Sequence, residues 1–263
     1  MPAAPAKRSI PRLLPALAAL ALFVSAPLPA QEVVRDTRDP TQKMDEDFAR
    51  AYAQWTTETR YGSPLVDHLP RVPGIPMPRD VLGHHIGAPK TLTYYEDALR
   101  YYRALADATP RVSVETIGQS DEGREMVVVW VSSEENLAGL EQNRANLARI
   151  ADPRGISQAQ IEELLDATKP NYHVIGGLHS GEAGAPEMLM ELVYRLAVET
   201  SPVISEIRDN VFVSVTPMAD PDGRDRYVDW FFQGMEMEDL AEAEAPDSAA
   251  QEEEEEEEED GQR

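Results

Sequence analysis

The chain is 263 residues long, contains no cysteine and carries a formal net charge of -24. A disulfide-stapled scaffold is excluded, and the acidity argues against binding to nucleic acid or an anionic membrane, both of which want Lys/Arg patches. Fifteen acidic residues and one basic residue fall within 235–263, which leaves a charge of -10 for the remainder.

Lys7, Arg8 and Arg12 precede an almost wholly apolar run over residues 13–24, followed by small and turn-forming residues up to Ala30. That order predicts a signal peptide over residues 1–30, the apolar run being too short to span a bilayer comfortably. The expected product is exported, periplasmic or extracellular, with no transmembrane segment after cleavage; an uncleaved anchor is the competing reading. Residues 31–90 are rich in proline and charge, and read as an extended lead-in on a domain surface with one helix near 45–55. Leu92, Tyr95, Leu99, Tyr102 and Leu105 recur at helical spacing, which predicts a helix over 91–107 ended by Thr109-Pro110.

Segments 112–118 and 125–132 are β-rich and joined by turn chemistry, which predicts an antiparallel pair. Helices are expected over 134–150 and 157–166, the second capped by Ser157. A strand over 172–177, a helix over 186–199 and a strand over 210–216 follow. Strands alternating with helices give an α/β domain with a mixed, partly parallel sheet. The functional groups of such sheets gather beyond the carboxyl ends of the strands, where residues 179–182 and 220–226 fall. The acidic stretch 235–263, with its unbroken glutamate run at 252–259, reads as a disordered tail.

In Gly177-Leu-His-Ser-Gly-Glu182, an imidazole and a carboxylate follow a strand end three residues apart. Such a pair can share one metal ion, zinc by preference, and a catalytic zinc takes three protein ligands plus water. The competing reading is a helix-entry loop in which Glu182 favours the helix N-terminus electrostatically. No histidine follows His179. His173 would lie about 20 Å away along a straight strand, while His84 and His85 remain geometrically open as a third ligand.

The succession Ile117-Gly-Gln-Ser-Asp-Glu-Gly-Arg124, then Gly177-Leu-His-Ser-Gly-Glu182, then Asp220-Pro-Asp-Gly223 resembles the first half of a zinc carboxypeptidase of the carboxypeptidase A type, over about residues 94–230. The resemblance implies a carboxypeptidase-like α/β/α fold with helices on both faces of the sheet, occupying residues 91–234. It implies zinc as cofactor, His179 and Glu182 as two of its ligands, and Gly123 and Arg124 as shapers of the early turn. The implied substrate is a peptide C-terminus, hydrolysed at its last bond. Arg224 or Arg226 is expected near the substrate carboxylate, with a surface or salt-bridging role as the alternative. The family's downstream Asn-Arg pair, third ligand His, Tyr and catalytic Glu have no counterpart here, so a truncated domain, weakly active or inactive, with an open sheet edge is expected. A zinc-dependent deacylase of N-acyl amino acids and a non-catalytic binding protein on the same scaffold remain as alternatives.

Overall fold

The computed structural model describes residues 36–244. Helix α1 (Glu46–Trp55) and the short α2 (Pro78–Leu82) lead into α3 (Tyr95–Ala108) and a hairpin of β1 (Val112–Gln119) and β2 (Glu125–Val131). Helices α4 (Glu134–Ala138), α5 (Leu140–Ala151) and α6 (Gln158–Ala167) precede β3 (Asn171–Ile175). Then come α7 (Gly184–Val198), α8 (Pro202–Asn210), β4 (Phe212–Thr216) and the long α9 (Pro221–Glu244). The strands form one sheet in the order β1-β2-β4-β3. β1–β2 and β2–β4 pair antiparallel, and β4–β3 pair parallel, so the mixed, partly parallel sheet expected from the sequence is present.

β2 carries the logic of the layers. Successive strand residues point to opposite faces, and both faces of this strand are apolar. Val127, Val129 and Val131 enter the larger core with Tyr102 and Leu105 of α3 and Leu189 and Val193 of α7. Val128 and Trp130 join Phe212 on the other face, where Leu137 and Leu140 cover them. A continuous valine-rich run is what a strand buried on both sides requires. The result is an α/β/α sandwich.

Several segments depart from expectation for identifiable reasons. The helix expected over 134–150 is interrupted at Gly139, which ends α4 and begins α5. Helix α8 was not anticipated; Ser201 caps it by accepting from Ile204 N, and Pro202 stands at the position where a missing N–H does no harm. The segment preceding the sheet does more than lie on the surface, because Phe48, Leu69 and Met77 are buried in the larger core. Helix α9 continues to Glu244, through residues expected to be disordered from 235 onward. The glutamate run at 252–259 and the signal peptide expected over 1–30 lie outside the described residues. Among the described residues no helix is long and apolar enough to cross a membrane.

β3 forms one edge of the sheet, with Tyr172 66% and Ile175 56% exposed. Directly after it, Gly176 lies where two elements meet. A Cβ on Gly176 would stand 2.6 Å from Leu189 Cδ1 and 2.7 Å from the Pro217 carbonyl oxygen. The side chain can yield but the backbone oxygen cannot do so locally, so Gly176→Ala is expected to lower the unfolding free energy by about 1–3 kcal/mol. Urea midpoints of the two proteins measure this, and equal midpoints would mean that α7 does not press on the strand end.

Candidate metal centre

β3 and β4 are adjacent and parallel, so the chain leaves both at the same side of the sheet. Pairing continues past the strand ends: Gly176 N donates to Thr216 O at 2.9 Å, Ala219 N to Gly176 O at 2.9 Å and Asp220 N to Gly177 O at 3.1 Å. Gly177 adopts φ +56°, a left-handed conformation that turns the chain out of the sheet. The two polar turns are thereby laid side by side. A Cβ on Gly223 would meet Ser180 Cβ at 2.9 Å, and one on Gly181 would touch Tyr227 at 3.8 Å.

Within this arrangement His179 and Glu182 meet directly. His179 Nδ1 lies 2.7 Å from Glu182 Oε1, and the His179 backbone N–H donates to Oε2 at 3.2 Å. The return bond runs from Glu182 N to His179 O at 3.0 Å. Both side chains face solvent, at 76% and 51% exposure. The His179 ring, and after it the His179 backbone N–H, hold the Glu182 carboxyl below its ordinary value. Because a carboxylate only accepts, the contact places the ring proton on Nδ1. The donor set, neighbouring imidazole nitrogen and carboxylate oxygen in an accessible turn, suits zinc as two of its ligands.

A third ligand is not gathered here. Among the described residues, the group of three or more His, Asp, Glu or Cys donors within 4.8 Å of one another is Asp45, Asp47 and His85. Sequence reasoning had not singled out these aspartates, and His85 joins them rather than His179. His85 Nε2 lies 3.2 Å from Asp47 Oδ2, and its ring packs edge-on against Phe48 and Trp55. The Arg79 guanidinium already stands in this cluster, bonded to Asp47, 3.1 Å from His85 Nε2 and 3.6 Å from Asp45 Oδ2. Asp45 Oδ1 is also committed, accepting from Phe48 N at 2.8 Å as the cap of α1. A cation is thus built in, and the cluster braces α1 against α2. His84 turns its Nδ1 to the His85 carbonyl at 3.1 Å. His173 lies on the sheet, 2.7 Å from Ser214 Oγ.

The arginines are placed equally clearly. Arg224 is 2% exposed; its Nε and Nη2 donate to the Thr93 carbonyl at 3.1 and 3.0 Å, and Nη2 also bonds Glu187. Glu187 in turn accepts from Thr93 N at 2.6 Å and Thr93 Oγ1 at 2.7 Å. The salt-bridging alternative describes Arg224, since burial keeps its guanidinium from a peptide carboxylate. Arg226 is exposed and bonds Glu122.

The third motif closes the arrangement. Gly123, at φ +83°, shapes the β1–β2 turn, and that turn docks on the start of α9. Asp222 Oδ1 accepts from Ser120 Oγ at 2.7 Å and Arg124 Nη1 at 2.7 Å, while Oδ2 accepts from Glu122 N at 3.1 Å. Arg124 Nε reaches Asp225 at 2.8 Å. Burial opposes ionisation of Asp222, yet the Ser120 hydroxyl and the Arg124 guanidinium together hold its carboxyl below the ordinary value. A depressed carboxyl stabilises the fold above its unfolded pKa, and that stabilisation is lost as the pH falls through the lower folded value. The contribution of Asp222 is therefore full above about pH 5 and fades below about pH 4, given an ordinary aspartate value near 3.9. Asp222→Asn is expected to lower the melting temperature at pH 7, with the gap to the parent chain narrowing toward pH 3. Melting curves across that range would refute the assignment if the gap stayed constant.

The zinc carboxypeptidase family model matches residues 98–235, just over half of the chain. Among solved structures, the chain is similar to carboxypeptidase A from Helicoverpa armigera (21% identity, TM-score 0.36, 51% of this chain and 26% of that one). It is likewise similar to a metallo-carboxypeptidase from Burkholderia cenocepacia (22% identity, TM-score 0.34, 51% and 28%). A third similar structure is bovine thrombin-activatable fibrinolysis inhibitor in complex with tick carboxypeptidase inhibitor (13% identity, TM-score 0.32, 52% and 33%). The chain spans about a quarter to a third of the length of these structures. A search of the curated proteins gives no match. The family match spans the sheet and all three polar turns, and the chain belongs to the zinc carboxypeptidase family.

Proposed function

We propose that this chain carries the metal-binding turn of an exported zinc carboxypeptidase, with His179 and Glu182 as two of its zinc ligands and a peptide C-terminus as its substrate. The observation that carries the reading is the exposed His179–Glu182 contact of 2.7 Å at the carboxyl end of a parallel strand, in a family of zinc enzymes. Zinc held there would polarise a scissile carbonyl and acidify a bound water. The chain's own part is to fix the two donors: Gly177 turns them out of the sheet, and Glu182 N and His179 O pin the turn between them. Export is supported by the basic start and apolar run of residues 7–24.

Catalytic zinc takes three protein ligands, and the described residues bring two together at this turn. The chain alone is therefore expected to bind zinc weakly and to hydrolyse peptides slowly or not at all. Arg226, exposed at the start of α9, stays the candidate for a substrate carboxylate, in competition with Glu122.

Zinc titration against a competing chelator tests the assignment. His179→Ala and Glu182→Gln are each expected to weaken binding at least about tenfold, since even an outer-sphere partner is worth 10–100-fold. His85→Ala should leave that affinity unchanged. Equal zinc affinity in the parent and both turn variants would sink the reading. Cleavage of N-acyl amino acids in preference to peptides would identify a deacylase instead.

A further inference from the structure

A cavity of about 320 Å³ lies between α1, the loop after α2 and α7, and none of its lining residues belongs to the His179–Glu182 turn. Phe48, Tyr52 and Trp55 line it from one face of α1, at the i, i+4, i+7 spacing that stacks side chains along a helix. His85, Met188 and Glu191 complete the part of the wall that matters here. Phe48 and Tyr52 stack at 6.3 Å between ring centroids, and His85 meets Trp55 edge-on at 6.4 Å. The volume is at the small end of ligand pockets, enough for one ring or a short alkyl chain.

Glu191 is the carboxylate in this wall. Its side chain is 15% exposed, and Oε1 accepts both the Nε and Nη2 bonds of Arg195, at 2.9 and 2.8 Å. Among the described residues Oε2 accepts none. That oxygen is not among the fully buried side-chain atoms without a partner, so it is open to a donor from water or from a ligand in the cavity. The surrounding charges have the same bias. Asp45, Asp47, Glu191 and Glu199 are linked to Arg50, Arg79 and Arg195, four carboxylates to three guanidiniums, an excess of one formal negative charge. Arg195 already covers one face of Phe48 at 5.7 Å, which leaves the Tyr52 and Trp55 rings for an occupant.

Aromatic faces beside an incompletely neutralised carboxylate recognise an organic cation with an apolar body. We propose that this cavity binds a small primary amine, its ammonium on Glu191 Oε2 and its aromatic or alkyl body against Tyr52 and Trp55. The site is independent of the zinc pair, and the proposal goes beyond the peptidase reading.

Isothermal titration of the metal-free chain with three probes of one shape tests it: 2-phenylethylamine, 2-phenylethanol and 3-phenylpropionate. The amine is expected to bind at least about tenfold more tightly than the alcohol, the span of a hydrogen bond to a charged group, and the carboxylate more weakly than either. Glu191→Gln should bring amine and alcohol to within about threefold, and Trp55→Leu should weaken both with their ratio kept. The proposal is overturned if the alcohol matches the amine on the parent chain, or if no probe binds at millimolar concentration. Should Glu191→Gln fail to fold, the three probes on the parent chain decide the matter.

Discussion

The parallel pairing of β3 with β4 is the constraint on which the polar end of the molecule depends. Two parallel neighbours must leave a sheet on the same side, so whatever follows each strand is forced together there. Here the followers are the His179–Glu182 turn and the Asp220–Gly223 turn, and backbone hydrogen bonds from Ala219 and Asp220 to the glycine pair keep them in register beyond the last strand residue. Glycines at 176, 177 and 223 allow the approach, because a side chain at any of them would meet a neighbouring atom at 3.0 Å or less. Charged residues take no part in the approach itself; it is made of backbone.

Electrostatics then locks what the backbone brings together. Asp222 collects a hydroxyl, a backbone N–H and a guanidinium from the β1–β2 turn, and so joins the antiparallel half of the sheet to the start of α9. Arg224, two residues further along α9, is buried in a pair with Glu187 of α7, and both partners are also bonded to Thr93 just ahead of α3. A buried ion pair is weak evidence for stability but costly to break from one side. Its value here is positional: the segment entering α3, the first turns of α7 and the start of α9 share one buried polar contact.

Much of this was legible in the sequence, for unequal reasons. The valine run of β2, the period of Leu99, Tyr102 and Leu105, and the Ser157 cap are local signals, and each predicted its element. Ser201-Pro202 was an equally local signal for α8 that went unread. Asp220-Pro221, besides belonging to the third motif, is a local signal for the start of α9, since an aspartate before proline can cap a helix, and Gly223 N donates to Asp220 Oδ1 at 2.9 Å. The family was legible because three motifs kept their order. Burial of Arg224 was not, since an arginine in a polar turn looks the same whether it faces solvent or a glutamate on another helix. The Asp45–Asp47–His85 cluster was hidden for a similar reason, its members being brought together only by the packing of α1 on the loop after α2.

The direct contact between His179 and Glu182 has a chemical consequence of its own. Each side chain already holds the other's lone pair or proton, so the turn contains an internal competitor for any ion. For these two side chains to hold an ion they would first have to give up this bond, and His179 would have to carry its ring proton on Nε2 instead of Nδ1. Whatever strengthens the imidazole–carboxylate bond therefore weakens the metal's claim, and neither partner can be tuned alone. The turn behaves as a latch whose closed form is a hydrogen bond and whose opening frees an imidazole nitrogen and a carboxylate oxygen together.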